Sequence, residues 1–189
     1  MPRALLTAAS DTLRELGPRR FSLTAVAEAA GVSRGTVHNV LGTRDDAIAT
    51  ALNQLAAAFV ETMSAEVGKE ASLAEQVAAA AVLISAHRRH SDGRPRGINQ
   101  SVLVLLLEHG GEDLMRRSVD LWKPLITAAR RSGEVAPSID AVRASEWIMR
   151  ILFSFELLPA IAVNLDSPRA VRRFVSDHVV AGLTRGQGG

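Results

Sequence analysis

The sequence predicts an all-α protein of about nine helices, a small three-helix head followed by a larger helical body. Three observations carry that prediction. Hydrophobic residues make up 47% of the chain but aromatics only 4%, and Ala, Leu and Val dominate, which favours helix over aromatic-rich sheet. Apolar positions recur at spacings of three and four along much of the chain. Ser, Thr and Asp stand where helices would start, and Gly or Gly-Pro where they would stop.

Taken in order, residues 3–16 form the first helix, with Leu6, Ala9, Leu13 and Leu16 on one face and Gly17-Pro18 as its end. Ser22 is the expected N-cap of a short second helix, Leu23–Ala30. Gly31 closes it, Ser33 caps a third over Arg34–Leu41, and Gly42 stops that one. Thr43-Arg44-Asp45-Asp46 has the form of a capping box and opens a long fourth helix toward Gly68. Residues 72–90 follow as a helix, then the breaker-rich loop HSDGRPRG, then Ile98–Glu108 closed by Gly110-Gly111. A helix over 113–132 is expected to bend near Pro124. Residues 139–158 and 168–184 supply the last two, the second begun by Ser167-Pro168. This organisation divides the chain into a head over 1–48 and a body over 49–189.

Composition removes several function classes. With no cysteine, disulfide frameworks, thiolate metal sites and Cys nucleophiles are excluded. The longest apolar run, around Ile98–Leu107, is too short to span a bilayer, and the simplest reading is a soluble cytoplasmic protein. His87 and His90 lack a third ligand at metal spacing, and no Gly-rich phosphate loop, Ser elbow or carboxylate pair stands out. No enzymatic activity, metal or cofactor is therefore expected. A sequence pI near 9.9 looks like a nucleic-acid signal, but the formal net charge is only +2 and little besides Arg titrates above neutrality. The argument for a nucleic-acid partner must come from local arrangement.

That arrangement is in residues 22–46. Ala27 sits where the second and third helices would cross, and a larger side chain would force them apart. Val26, Ala30, Val32, Val37 and Val40 are expected to face inward, and Gly31 permits the left-handed backbone of the turn. This is the helix-turn-helix pattern, whose second member enters the DNA major groove. Ser33, Arg34, Gly35, Thr36, His38 and Asn39 are then left outward. Gly35 lets the backbone approach the groove wall, Thr36 suits a thymine methyl or a phosphate, Asn39 a base edge, and Arg34 a guanine or phosphate. The N-terminus of the fourth helix beside Arg44 is a phosphate clamp.

These residues carry a resemblance. Residues 4–52, above all FSLTAVAEAAGVSRGTVHNVLGTRDDAI, resemble the DNA-binding head of the TetR family of transcriptional regulators. Ala27, Gly31, Val32, Ser33, Gly35, Thr36, Val37 and Thr43 match the family pattern, and Arg44 stands in for its Lys. His38 replaces the usual Tyr, which commonly contacts a phosphate, and Leu41 replaces the usual Phe. The candidate DNA contacts are Thr24, Ser33, Arg34, Gly35, Thr36, His38, Asn39, Thr43 and Arg44.

The body is read on its own residues first. Helix 139–158 is apolar almost all round, which calls for burial on nearly every side, against its own core and a second subunit. With the last helix it gives a candidate dimer interface of Trp147, Met149 and Leu152 with Val171, Phe174, Val175, His178, Val179 and Gly182. A homodimer reads two half-sites, so a palindromic double-stranded operator follows. The resemblance implies ligand contacts from the fourth to eighth helices. The candidates are Phe59, Met63, Leu83 and His87, then Leu103, Leu106 and Leu107, then Trp122, Leu125 and Ile126, then Trp147, Ile151 and Phe155. The stretches ASEWIMRILFSF and NLDSPRAVRRFVSDHVVAGL resemble actinobacterial regulators of lipid and sterol metabolism in the family, which implies a small, largely hydrophobic effector such as an acyl-CoA or a sterol derivative. The expected function is a ligand-responsive dimeric repressor, with activation as the alternative effect and a helical adaptor without DNA binding as the alternative class.

Overall fold

The computed structural model describes residues 2–92 and 102–180, with side chains over 3–86 and 102–178. Every regular element among them is helical: α1 (Pro2–Arg20), α2 (Leu23–Ala30), α3 (Arg34–Leu41), α4 (Arg44–Val67), α5 (Leu73–Asp92), α6 (Val102–Arg131), α7 (Ala141–Leu157) and α8 (Pro168–Phe174), the last running into a π-helical turn, Val175–Val180. The expected nine helices become eight. The two expected over 98–108 and 113–132 are one helix, α6, kinked where Gly110 leaves helical geometry at φ −148°, ψ 27°. The break falls at the glycine pair that the sequence reads as a stop, and Leu106 and Leu114 are buried on either side of it. Pro124 is carried inside the same helix. No described helix is long and apolar enough to cross a membrane.

The chain divides into two compact units, Met1–Ala58 with Ser91–Leu114 and Phe59–His90 with Met115–Gly189. In the first, α1 buries Leu5, Ala9 and Leu13, while Leu6 and Leu16 stay half-buried, one position away from the stripe expected. Gly17 breaks α1 with φ 68°, as its sequence predicts. The caps of the next helices are those read from the sequence. Ser22 accepts the Ala25 N–H at 3.1 Å, and Ser33 accepts that of Thr36 at 3.1 Å. Asp46 accepts both the Thr43 N–H (2.9 Å) and the Thr43 hydroxyl (2.6 Å) at the start of α4. Each cap satisfies donors that a helix start leaves without partners. α1 packs on α2, and α2 on α3. Val26, Ala27 and Val37 are buried, which gives the close crossing that Ala27 implies.

The second unit is held by contacts between residues far apart in sequence. The Glu134 carboxylate accepts the Leu73 and Ala74 N–H groups at 3.0 and 2.9 Å, closing the N-terminus of α5 from the segment after α6. Arg172 of α8 pairs with Glu70 at 3.0 Å. Trp122 and Met149 are both wholly buried, and the Trp122 indole N–H donates to the Met149 Sδ at 3.0 Å. Glu134→Ala removes a charged acceptor from two helix-start donors and is expected to cost about 1–2 kcal/mol of unfolding free energy. A urea titration followed by circular dichroism reads it, and an unchanged midpoint would show that water replaces the carboxylate without loss.

Candidate nucleic-acid interface

α2, the turn and α3 form the motif expected. Gly31 adopts φ 66°, ψ 33°, and the Val32 N–H returns to the Ala27 carbonyl at 3.0 Å, so the turn is tight and its conformation suits glycine. α3 turns Val37 and Leu41 into the first unit and leaves Ser33, Arg34, Gly35, His38 and Asn39 exposed, with Thr36 half-buried. Thr24, Thr43 and Arg44 are exposed as well. The nine candidate contacts thus fall on α2, α3 and the first turn of α4, but their local partners divide them.

Arg34 and Asn39 have no hydrogen-bond or ion-pair partner among the described residues, so their donors stand outward and uncommitted. Ser33 and Thr36 are tied together, the Ser33 Oγ lying 2.9 Å from the Thr36 Oγ1 while also capping the helix. Thr43 is bound to Asp46 by backbone and side chain, and those two hydrogen bonds, the side-chain one first, hold the Asp46 carboxyl below its usual range, with a smaller contribution from His38. His38 places its Nδ1 2.9 Å from the Gly42 carbonyl. A carbonyl only accepts, so Nδ1 is the donor in this contact, and in the neutral ring Nε2 keeps the lone pair.

Arg44 differs from expectation. Its Nε donates to the Phe21 carbonyl at 3.0 Å, one terminal nitrogen to the Pro18 carbonyl, and the other pairs with Asp45 at 3.2 Å. α1 ends at Arg20, so the carbonyls of Pro18 and Phe21 have no helical N–H partner, and the guanidinium fork satisfies both at once. Arg44 is thus a clasp between the end of α1 and the start of α4, and Arg34 is the uncommitted guanidinium of α3.

Two surface features were not read from the sequence. Val40, expected inward, is 46% exposed, because Val37 and Leu41 take the one stripe that an eight-residue helix can bury. It lies one turn beyond Thr36, an apolar side chain on the recognition helix. The signal available was the i, i+4 pairing of Val37 with Leu41, which leaves Val40 on the flank. At Gly35 an added Cβ would meet nothing nearer than the Ser33 Oγ at 3.6 Å, an ordinary contact. The interior of the protein does not require glycine there.

The body candidates are more scattered. Phe59, Met63, Trp122, Ile126 and Phe155 are buried in the second unit, with Leu83, Leu125, Trp147 and Ile151 half-buried there. Leu103 and Leu106 are buried and Leu107 half-buried in the first unit. The side chains of His87 and Val179, and Gly182 altogether, lie outside the described residues. Of the expected dimer residues, Met149, Leu152, Val171 and Val175 are already covered by their own chain and have no surface to offer a second subunit. Trp147 and Phe174 retain partial exposure and His178 is exposed, with the Phe174 ring edge-on to Phe155 and His178 at centroid distances of 6.0 and 5.0 Å.

No protein-family model and no curated protein matches the chain in sequence. Solved structures match it in fold over nearly its whole length. A TetR-family transcriptional regulator from Cytophaga hutchinsonii is 13% identical, with a TM-score of 0.70 over 98% of this chain and 96% of that one. A cysteine mutant of CifR, a TetR family transcriptional regulator complexed with 26-base-pair operator DNA, is 19% identical, with a TM-score of 0.65 over 93% and 95%. FadR from Bacillus subtilis, a transcriptional regulator in complex with stearoyl-CoA, is 17% identical, with a TM-score of 0.61 over 92% and 97%. At such identities the likeness is one of architecture, and on that ground, together with the motif in α2 and α3, the chain has the fold of the TetR family of transcriptional regulators.

Proposed function

We propose that this protein is a ligand-responsive regulator of transcription, a homodimer that represses from a palindromic operator and is released by a largely hydrophobic effector. The observation that carries the DNA-binding part is the outward face of α3, where Arg34 and Asn39 have no partner and Gly35 lacks a side chain that its own fold would accommodate. Glycine is a poor helix former, and nothing in the fold requires it at Gly35 in the first turn of α3, so the bare backbone there suits a close approach from outside the chain. In the major groove, Arg34 reads guanine or phosphate, Asn39 reads a base edge, and Thr36 and Val40 meet thymine methyls. Ser33 and Thr43, with their hydroxyls committed to caps and the Thr43 N–H to Asp46, fix the two helix ends.

The subunit face on α7 and α8 is built from surface that the chain leaves accessible, Trp147, Phe174 and His178, joined by Val142 and Leu157, both exposed. The effector site draws on the apolar residues of the body, and the stearoyl-CoA in the FadR complex supports an acyl-CoA or similar molecule as the class to try first. An effector that prefers one body conformation changes operator affinity by its difference in affinity for the two states.

The test is selection of bound duplexes from random DNA, followed by affinity measurement for Arg34→Ala, Thr36→Ala and Asn39→Ala. A palindromic consensus is expected, and each variant should bind it about tenfold or more weakly, because a lost base contact is worth about 1–3 kcal/mol. Three variants that bind like the parent would remove α3 from the interface. No enriched sequence, with no affinity for duplex at low salt, would leave the helical adaptor as the reading.

A further inference from the structure

The geometry points to His38 as a proton-linked phosphate contact, so that this protein binds DNA more tightly when the ring is protonated than when it is neutral; the inference rests on the DNA-binding reading above. His38 is exposed on α3, and its Nδ1 donates to the Gly42 carbonyl at 2.9 Å. That hydrogen bond uses one ring nitrogen and fixes the tautomer, so the neutral ring has only the Nε2 lone pair left for an external partner. A lone pair set against a phosphate oxygen repels it. A proton on Nε2 turns the same atom into a charged donor, and a charged donor to an anion is among the stronger hydrogen bonds.

The ring is well held for this role. Gly42 has φ 77°, and an added Cβ would come within 2.7 Å of the Asp46 carboxylate, so the turn that offers its carbonyl to His38 is fixed by glycine and by the α4 cap together. The charged residues of α3 and of the start of α4 are Arg34, one turn before His38, and Arg44, Asp45 and Asp46, of which Asp46 interacts with His38. Arg44 is occupied by Pro18, Phe21 and Asp45, which takes its charge toward the end of α1. Asp46 is occupied by Thr43, whose two hydrogen bonds are what chiefly lower its pKa, with His38 adding a smaller effect in the same direction. Asp46 is the carboxylate that His38 acts on, Nε2 makes no hydrogen bond among the described residues, and a DNA phosphate supplies a further anion. The complex holds more protons than the free protein, so affinity must fall as pH rises.

Phosphate contacts need no particular sequence, so the probe is a mixed-sequence duplex of about 30 base pairs. Affinity for the parent, His38→Gln and His38→Arg is measured at pH 6 and pH 8 over a salt series, with circular dichroism at both pH values as the folding control. The parent should bind about three- to tenfold more tightly per head at pH 6, and its salt dependence should be steeper there by about 0.9 per head, because one more phosphate is neutralised. His38→Gln should bind alike at both pH values with the shallower slope, and His38→Arg alike at both with the steeper one. A parent whose salt slope is unchanged by pH, or a Gln variant that keeps the parental pH profile, overturns the role of His38 while leaving DNA binding intact. Absence of binding by the parent at every pH and salt overturns the DNA-binding reading itself, and this inference with it.

Discussion

Gly35→Ala is expected to make the protein more stable and a poorer binder of DNA. The two effects have separate origins. A glycine inside a helix costs roughly 0.5–1 kcal/mol relative to alanine, since it loses more backbone freedom on folding. The added methyl would lie no nearer than 3.6 Å to any neighbouring atom, with the capping Ser33 Oγ as that neighbour, so nothing in the fold opposes the substitution. A midpoint rise in urea unfolding equivalent to about 0.5–1 kcal/mol follows. On DNA the same methyl stands between the α3 backbone and the groove wall. Forcing a methyl into a filled contact costs about 1–3 kcal/mol, and a dimer suffers it in both heads, so affinity for the selected operator should drop by about tenfold or more per head. The opposed signs make the result decisive. A variant that gains stability and binds normally would show that α3 does not lie close against DNA at Gly35. A variant that loses stability would show that Gly35 answers to the fold after all.

What the sequence made legible was local. The N-caps at Ser22, Ser33 and Ser167 and the box at Thr43 and Asp46 are each observed where they were read, because a cap is decided within four residues. The helix-turn-helix was legible for the same reason: Ala27, Gly31 and Val37 answer to one crossing and one turn. What escaped was decided by partners distant in sequence. Arg44 was read as a candidate DNA contact beside a phosphate-binding helix start, but the carbonyls of Pro18 and Phe21, at and beyond the end of α1, engage its guanidinium. Glu134 caps α5, and no periodicity links it to Leu73 and Ala74. Gly110-Gly111 carried a stop signal by propensity, and the backbone does leave helical geometry at Gly110, although the chain resumes the helix at once. In α7 the apolar pattern announced burial but not what would cover it. Met149 and Leu152 have all their cover from within the chain, so a sequence that reads as an interface is, at those positions, core.

Trp122→Ala should be the most damaging single change to stability. Trp122 is wholly buried in the second unit, and its removal leaves a cavity that neighbours fill only in part. Truncations of this kind cost about 3–5 kcal/mol, a large share of the roughly 5–15 kcal/mol that holds a domain folded. The loss also has a polar component, because the indole N–H has the Met149 thioether as its acceptor. Met149→Leu separates the two. It keeps the volume of the core, so packing changes little, but it leaves the Trp122 N–H buried without a partner, at an expected cost of about 1–2 kcal/mol. Trp122→Phe removes the donor and part of the volume. In the double variant Trp122→Phe with Met149→Leu, donor and acceptor vanish together, so its cost should fall short of the sum of the two single changes by about 1 kcal/mol. Urea unfolding followed by far-ultraviolet circular dichroism measures all four, since tryptophan emission is altered by the substitutions themselves. If the costs simply add, the contact contributes packing and no hydrogen bond. If Trp122→Ala costs less than about 2 kcal/mol, the core around α6 and α7 closes over the gap, and the tight packing that excludes Met149 from a subunit interface would not be what holds this unit together.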